Sequence, residues 1–208
     1  MKRFKKSIGL SVALSLMVGI FSASPAFADA KVITDGTYKV GTDVSAGEYI
    51  ITPSTNQDAY YAIIDENGHY VDGDSSRARN VVQLSNNQIL QLRHSDMMTA
   101  LDAPQVDLSS KTLLEGTYRV GVDIPSARYI LRPNTDQWVY GTYEIYEVYS
   151  DYTGYHKNLV SQDTITEETT VWLSPWQYLK TRNLIIVIPD NTPTSPLYEN
   201  WISSAGTP

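Results

Sequence analysis

Apolar residues recur at every second position in short runs along this chain. Tyr38 and Val40 alternate with Thr37 and Lys39, and eighty residues later Tyr118 and Val120 alternate with Thr117 and Arg119. A period of two marks a strand with one apolar and one solvated face. After an eight-residue connection the pattern returns as Tyr49 with Ile51 and as Tyr129 with Leu131. Gly41 and Gly121 close the first strand of each pair and can adopt positive φ. The Asp43 and Asp123 side chains can bond the backbone two residues on and close the turn, with Val44 and Ile124 tucked beneath it. Ala59 to Ile64 is rich in strand formers and runs into Asp65-Glu66-Asn67-Gly68, whose Asn-Gly pair signals a hairpin. Val81 to Leu84, Gln88 to Arg93, Thr169 to Leu173 and Leu184 to Ile188 complete the expected strands. No segment of ten or more residues carries a helical stripe, so the fold class expected is all-β.

The alternation is written twice. From Gly36 to Tyr60 and from Gly116 to Tyr140 the register is a constant eighty, with Gly36, Thr37, Tyr38, Val40, Gly41, Asp43, Tyr49, Ile50, Pro53, Thr55, Gln57 and Tyr60 all recurring. Eighty residues is too long for a solenoid unit and suits a duplicated small domain. The expected architecture is two homologous antiparallel β-sandwich or barrel domains in tandem. The first occupies residues 29–104 and the second residues 115–190. A linker spans residues 105–114, and residues 191–208 form a tail with three prolines.

The motif G-T-Y-x-V-G-x-D-[VI]-x-x-x-x-Y, at Gly36 to Tyr49 and Gly116 to Tyr129, resembles a small β-domain that recurs, often in tandem, in secreted proteins and surface lipoproteins of Gram-positive bacteria. The resemblance covers about twenty-five residues per copy and implies a non-catalytic, exported β-domain. Relatives often have glycine two residues before the last motif tyrosine, as Gly47 is here, whereas the second copy has Ala127. Relatives also often carry a cysteine pair in later strands, and this chain has no cysteine.

The start of the chain changes the picture of where it works. Lys2, Arg3, Lys5 and Lys6 precede an apolar run from Ile8 to Phe21, and Ala26-Phe27-Ala28 offers a small-x-small cleavage site, so residues 1–28 read as a secretory signal peptide. The run falls short of the roughly 20 residues that span a bilayer. Without this segment twelve basic residues face twenty-three acidic ones, a net charge of −11. Such an anion without a Lys/Arg cluster is unsuited to nucleic acid or to anionic lipid. The absence of cysteine excludes disulfides, thiolate metal sites and a cysteine nucleophile, so burial of apolar side chains must supply the stability. The expected location is extracellular or loosely associated with the cell surface.

Candidate chemistry is sparse. Gly36 to Gly41 has phosphate-loop spacing, but Thr42-Asp43 stands where Lys-Ser/Thr is needed. His69, His94 and His156 do not recur at the eighty-residue offset, and His69 and His156 follow hairpin glycines. Glu144 with Glu147, or Glu167 with Glu168, could serve as acid and base in glycoside hydrolysis, although neighbouring carboxylates in so acidic a chain suit a solvated face. Asp65, Asn67, Asp72 and Asp74 could gather around calcium, but their spacing does not match a 12-residue calcium loop. No catalytic residue, cofactor or metal site is assigned.

The copies differ in their aromatics. From Tyr60 to Gly68 the first copy spends eight residues, and from Tyr140 to Gly154 the second spends fourteen. That longer hairpin holds Tyr143, Tyr146, Tyr149, Tyr152 and Tyr155, which a strand cannot place on one face. All four tryptophans, Trp138, Trp172, Trp176 and Trp201, also lie in the second half. Rings on a rigid β scaffold suit stacking on sugars or docking a partner chain. Aromatics also simply favour strands, and the longer hairpin could cover the other copy. The expectation is a secreted binding or interaction protein whose ligand is a cell-wall glycan or a surface protein. Tyr143, Tyr146, Tyr149, Tyr152, Trp172 and Trp176 are its candidate ligand-binding residues. The alternatives are a small extracellular glycoside hydrolase using Glu144, Glu147 and Asp151, and a purely structural surface protein.

Overall fold

The computed structural model describes residues 31–134 and 139–190. The expected signal peptide, Trp138, and the tail with Trp201 lie outside the described residues. The fold is all-β and antiparallel. In chain order the first half has β1 (Gly36–Lys39), β2 (Gly47–Pro53), β3 (Ala59–Ile64), β4 (Tyr70–Ser76), β5 (Asn80–Leu84), β6 (Ile89–Arg93) and β7 (Ser95–Thr99). The second half has β8 (Thr112–Leu113), β9 (Gly116–Arg119), β10 (Ala127–Pro133), β11 (Gly141–Asp151), β12 (Gly154–Ile165), β13 (Thr169–Leu173), β14 (Gln177–Arg182) and β15 (Leu184–Val187).

Each half is a pair of facing sheets. The first stacks β1-β6-β3-β4 on β5-β2-β7, and the second stacks β9-β14-β11-β12 on β13-β10-β15-β8, so the strand order is the same in both. The alternation expected from sequence supplies the cores. Tyr49, Ile51, Val82, Leu84 and Met97 from one sheet meet Tyr61, Ile63, Leu90 and Leu92 from the other. The second core gathers Tyr129, Leu131, Val171, Leu173 and Ile186 against Tyr118, Ile145 and Leu179. The segment read as a linker is part of this second unit: Leu108 and Leu113 are buried in its core, and β8 pairs with β15. Among the described residues no helix is long and apolar enough to cross a membrane.

The repeated phrase does its work through its tyrosines. Tyr38 Oη donates to the carbonyl of Thr34 at 2.9 Å, and Tyr118 Oη to that of Leu114 at 2.8 Å. Tyr49 donates to Ser45 at 3.0 Å and Tyr129 to Pro125 at 2.7 Å. Every motif tyrosine therefore ties its ring in the core to a carbonyl four residues upstream, pinning the chain that enters its strand. Burial pushes the Tyr118 phenol up to about 12, so it remains a neutral donor. Gly41 and Gly121 both take φ of 91°, as the turn requires, and Val44 and Ile124 are buried beneath it. The aspartates act differently from the expectation. Asp43 and Asp123 accept from the amides of Lys39 and Arg119, four residues back, at 2.8 and 2.9 Å, because the tight turn folds the carboxylate over the strand it has just left.

Strand pairing also corrects the repeat register. Tyr49 pairs with Val82 and Tyr129 with Val171, which keeps the offset of eighty through β2 and β10. Beyond Pro53 and Pro133 it slips by two: Tyr61 pairs with Leu92 and Tyr143 with Thr181, so Tyr143 is the counterpart of Tyr61. Strands β11 and β12 then run 11 and 12 residues, against 6 and 7 for β3 and β4. From β5 and β13 onward the offset is 89, with Leu90 matching Leu179 opposite Tyr38 and Tyr118.

The halves are joined by charge. Arg119 donates to Asp123 at 2.8 Å and to Glu48 of the first half at 2.8 Å. Arg79 of the first half reaches both oxygens of Asp123 at 3.0 and 3.1 Å and the carbonyl of Thr117 at 2.7 Å. Lys157 pairs with Asp72 at 2.7 Å, and Lys180 and Arg182 pair with Asp74. Burial alone would raise Asp123, but the Arg119 and Arg79 guanidiniums outweigh it and hold the carboxyl below its usual range. For a depressed carboxylate the stabilisation is present above the unfolded value near 4 and is lost as pH falls through the folded one.

Tyr129→Phe should lower stability by about 1–2 kcal/mol in urea unfolding, through the buried carbonyl left without its donor, whereas Tyr152→Phe should stay within about 0.5 kcal/mol. Asp123→Asn should cost about 2–3 kcal/mol at neutral pH by removing the carboxylate that Arg79 and Arg119 share, while Glu48 and the Thr117 carbonyl still hold the two guanidiniums. It should also flatten the acid limb of a plot of urea midpoint against pH.

Candidate functional site

The six residues singled out from sequence fall into three environments. Tyr143 is half-buried against the second core, and Tyr146 is only 2% exposed. Tyr146 stacks on Tyr178 with ring centroids 5.2 Å apart and planes within 9°, beneath the first half, while Tyr178 Oη donates to Glu48 at 2.5 Å. These two rings hold structure together and are not offered to a ligand. The expected wet rings are further along the hairpin: Tyr149 is exposed and Tyr152 is 98% exposed.

At that tip Asp151 accepts from the amide and hydroxyl of Thr153 at 2.7 and 2.6 Å, and His156 Nε2 lies 3.1 Å from Asp151 and 2.8 Å from Thr153 Oγ1. The Thr153 hydroxyl and amide, aided by His156, bring Asp151 down to about 2. Both partners address the same ring nitrogen, whereas a relay needs one on each. The cluster is a turn clasp, on which Tyr149 stacks through His156 at 5.2 Å. The hairpin also reaches the first half: the Tyr155 amide donates to Ser85 Oγ at 3.1 Å.

The carboxylates considered for hydrolysis are set apart. Glu144 is opposite Lys180 and Glu147 opposite Gln177 on β14, so strand alternation turns them to opposite faces. Glu168 pairs with Arg132 at 2.8 Å. Asp65 caps its own hairpin through the amides of Asn67 and His69, both at 2.8 Å, and Asp72 and Asp74 are engaged at the junction. Among the described residues no group of three His, Asp or Glu side chains is placed to hold a metal.

Trp172 and Trp176 form the remaining candidate. Trp172 alternates on β13 with the buried Val171 and Leu173, so its ring stands outward, 68% exposed, beside its cross-strand partner Arg128. Trp176 follows in the β13–β14 turn, 71% exposed. That turn has a twin. Ser85-Asn86-Asn87-Gln88 and Ser174-Pro175-Trp176-Gln177 both close with a serine amide donating to the glutamine side chain, at 2.8 and 2.9 Å. The third residue is left-handed in both, with φ of 69° at Asn87 and 70° at Trp176. Asparagine tolerates that backbone; a bulky ring there is strained. The sequence showed the tryptophans but not this strain, because the matching serines and glutamines stand 89 rather than eighty apart.

A cleft of about 590 Å³ lies at the junction. Asp58, Arg77, Glu115, Tyr140, Thr142 and Arg182 are among its lining residues, and because they come from both halves no local motif marks them. No protein-family model matches the chain, and no curated protein is found to be similar to it.

Since Trp176 occupies an asparagine-type position, Trp176→Asn should raise stability by about 1 kcal/mol in urea unfolding, through release of backbone strain.

Proposed function

We propose that this protein is a secreted, non-catalytic binding protein that works at the bacterial cell exterior and holds a glycan or protein ligand on the aromatic face of its second half. One observation carries the reading. At corresponding places the first half has Gln83 and Asn87, and the second has the exposed rings Trp172 and Trp176, one of them in a backbone conformation that costs stability. A strained, solvent-facing aromatic on a rigid scaffold is a feature of binding surfaces. The signal-like residues 1–28 and the resemblance to exported Gram-positive β-domains support the location.

Tryptophan emission tests it. Titration with cell-wall polysaccharide, or with purified surface protein, should quench saturably, and Trp172→Ala and Trp176→Ala should each weaken binding about tenfold, near 1.4 kcal/mol. No reducing sugar should appear. Release of sugar that disappears with Glu144→Gln would establish hydrolysis instead, and silence toward every polysaccharide and surface protein would leave a structural role.

A further inference from the structure

The junction covers one face of the first half, and among the described residues nothing covers the counterpart of that face in the second half. In the first half the face is built on β2 and β5, where Glu48 and Gln83 are cross-strand partners and Gln83 Nε2 donates to Glu48 at 3.1 Å. The second half closes it with Arg119, Asp123 and Tyr178, and it takes the edge of β5 at Arg79, whose carbonyl accepts from the Thr117 amide at 2.8 Å. The counterparts of Glu48, Gln83 and Arg79 are Arg128, Trp172 and Glu168, all exposed among the described residues.

Among the described residues the strand beneath them, β13, is the edge of its sheet. Thr169-Thr170-Val171-Trp172-Leu173 has no charge and no proline, and its ladder with β10 has no bulge. Ser126 Oγ donates to the carbonyl of Leu173 at 2.8 Å from the β10 side. Leu173, Val171 and Thr169 therefore turn their polar backbone toward β10, and Thr170 and Trp172 present theirs outward.

Charge decides what can dock there. A second copy stacking head to tail would offer its first half, where the residues matching Arg119 and Asp123 are Lys39 and Asp43. Lys39 would meet Arg128, and Asp43 would meet Glu168. Inside the chain the same positions bring Arg119 to Glu48 and Asp123 to Arg79; in the stack the first attraction becomes the like-charge contact of Lys39 with Arg128, and the second is lost because Glu168 is already paired with Arg132. An unopposed head-to-tail contact would propagate as a filament.

We propose that the β13 edge with Arg128, Trp172 and Trp176 docks the strand edge of another polypeptide carrying a carboxylate where this chain has Lys39, and that Arg128 prevents the chain from stacking on itself. This rests on the reading of the same face as a binding surface and narrows its ligand to protein.

Lys39 and Arg128 are both exposed, so charge swaps at them leave the cores intact. In sedimentation velocity over a concentration series at low salt, the wild type should run as one species. Lys39→Glu and Arg128→Glu should each self-associate at least about tenfold more tightly, and added salt should reverse this. The double variant, which restores like charges, should behave as wild type. Single variants that sediment as wild type would overturn the proposal, as would a double variant that associates as strongly as the singles. Polysaccharide quenching alongside inert charge swaps would remove this proposal alone and leave the broader binding-face reading standing.

Discussion

The structure depends on the clasp between Arg119 and Asp123. In the first half the same turn is a local device: the Asp43 carboxylate accepts from the Lys39 amide and seals a bend. In the second half arginine replaces lysine, and its planar fork binds Asp123 while extending to Glu48 across the junction. Asp123 accepts Arg79 from the other side. One repeated turn thus serves as scaffold in one half and as both scaffold and joint in the other. Partly buried charges of this kind give orientation more than net stability, because each has left water to be there. What they fix is which face of the first half is covered, and so which face of the second is uncovered among the described residues.

Around that joint the shared residues and the unshared ones divide the labour. The shared tyrosines pin entering segments by their hydroxyls, the shared glycines take left-handed bends, and the shared serine and glutamine close the later turn. Specialisation falls on positions whose side chains point out of the sandwich: Glu48 against Arg128, Gln83 against Trp172, Asn87 against Trp176. The inserted residues of the long hairpin also serve the joint, through Lys157 on Asp72 and the Tyr155 amide on Ser85.

Much of the fold was legible in the sequence because a period of two and a duplicated phrase are local signals. The strands at Tyr38 and Tyr118, the positive-φ glycines and the tucked Val44 and Ile124 all stand where alternation places them. The pairing of the later strands was not legible, since a two-residue slip after the prolines and a longer hairpin hide the 89-residue correspondence. The site was legible only in part. Trp172 and Trp176 could be named from composition, but Tyr143 and Tyr146 have the same residue type and spacing as Tyr149 and Tyr152. Only the position of the first half reveals that Tyr146 is covered. The strain at Trp176 is likewise invisible until its backbone is paired with that of Asn87.

The most direct test of this asymmetry is amide hydrogen exchange resolved by residue, with rates corrected for sequence, across the two matching edge strands. With the joint formed, the Thr117 amide, which donates to the Arg79 carbonyl of the first half at 2.8 Å, should be strongly protected, and that of its exposed counterpart Thr37 on β1 should exchange far faster. Equal protection at the two edges would contradict it, and would mean that the halves do not meet through the Arg79 and Glu48 face in solution.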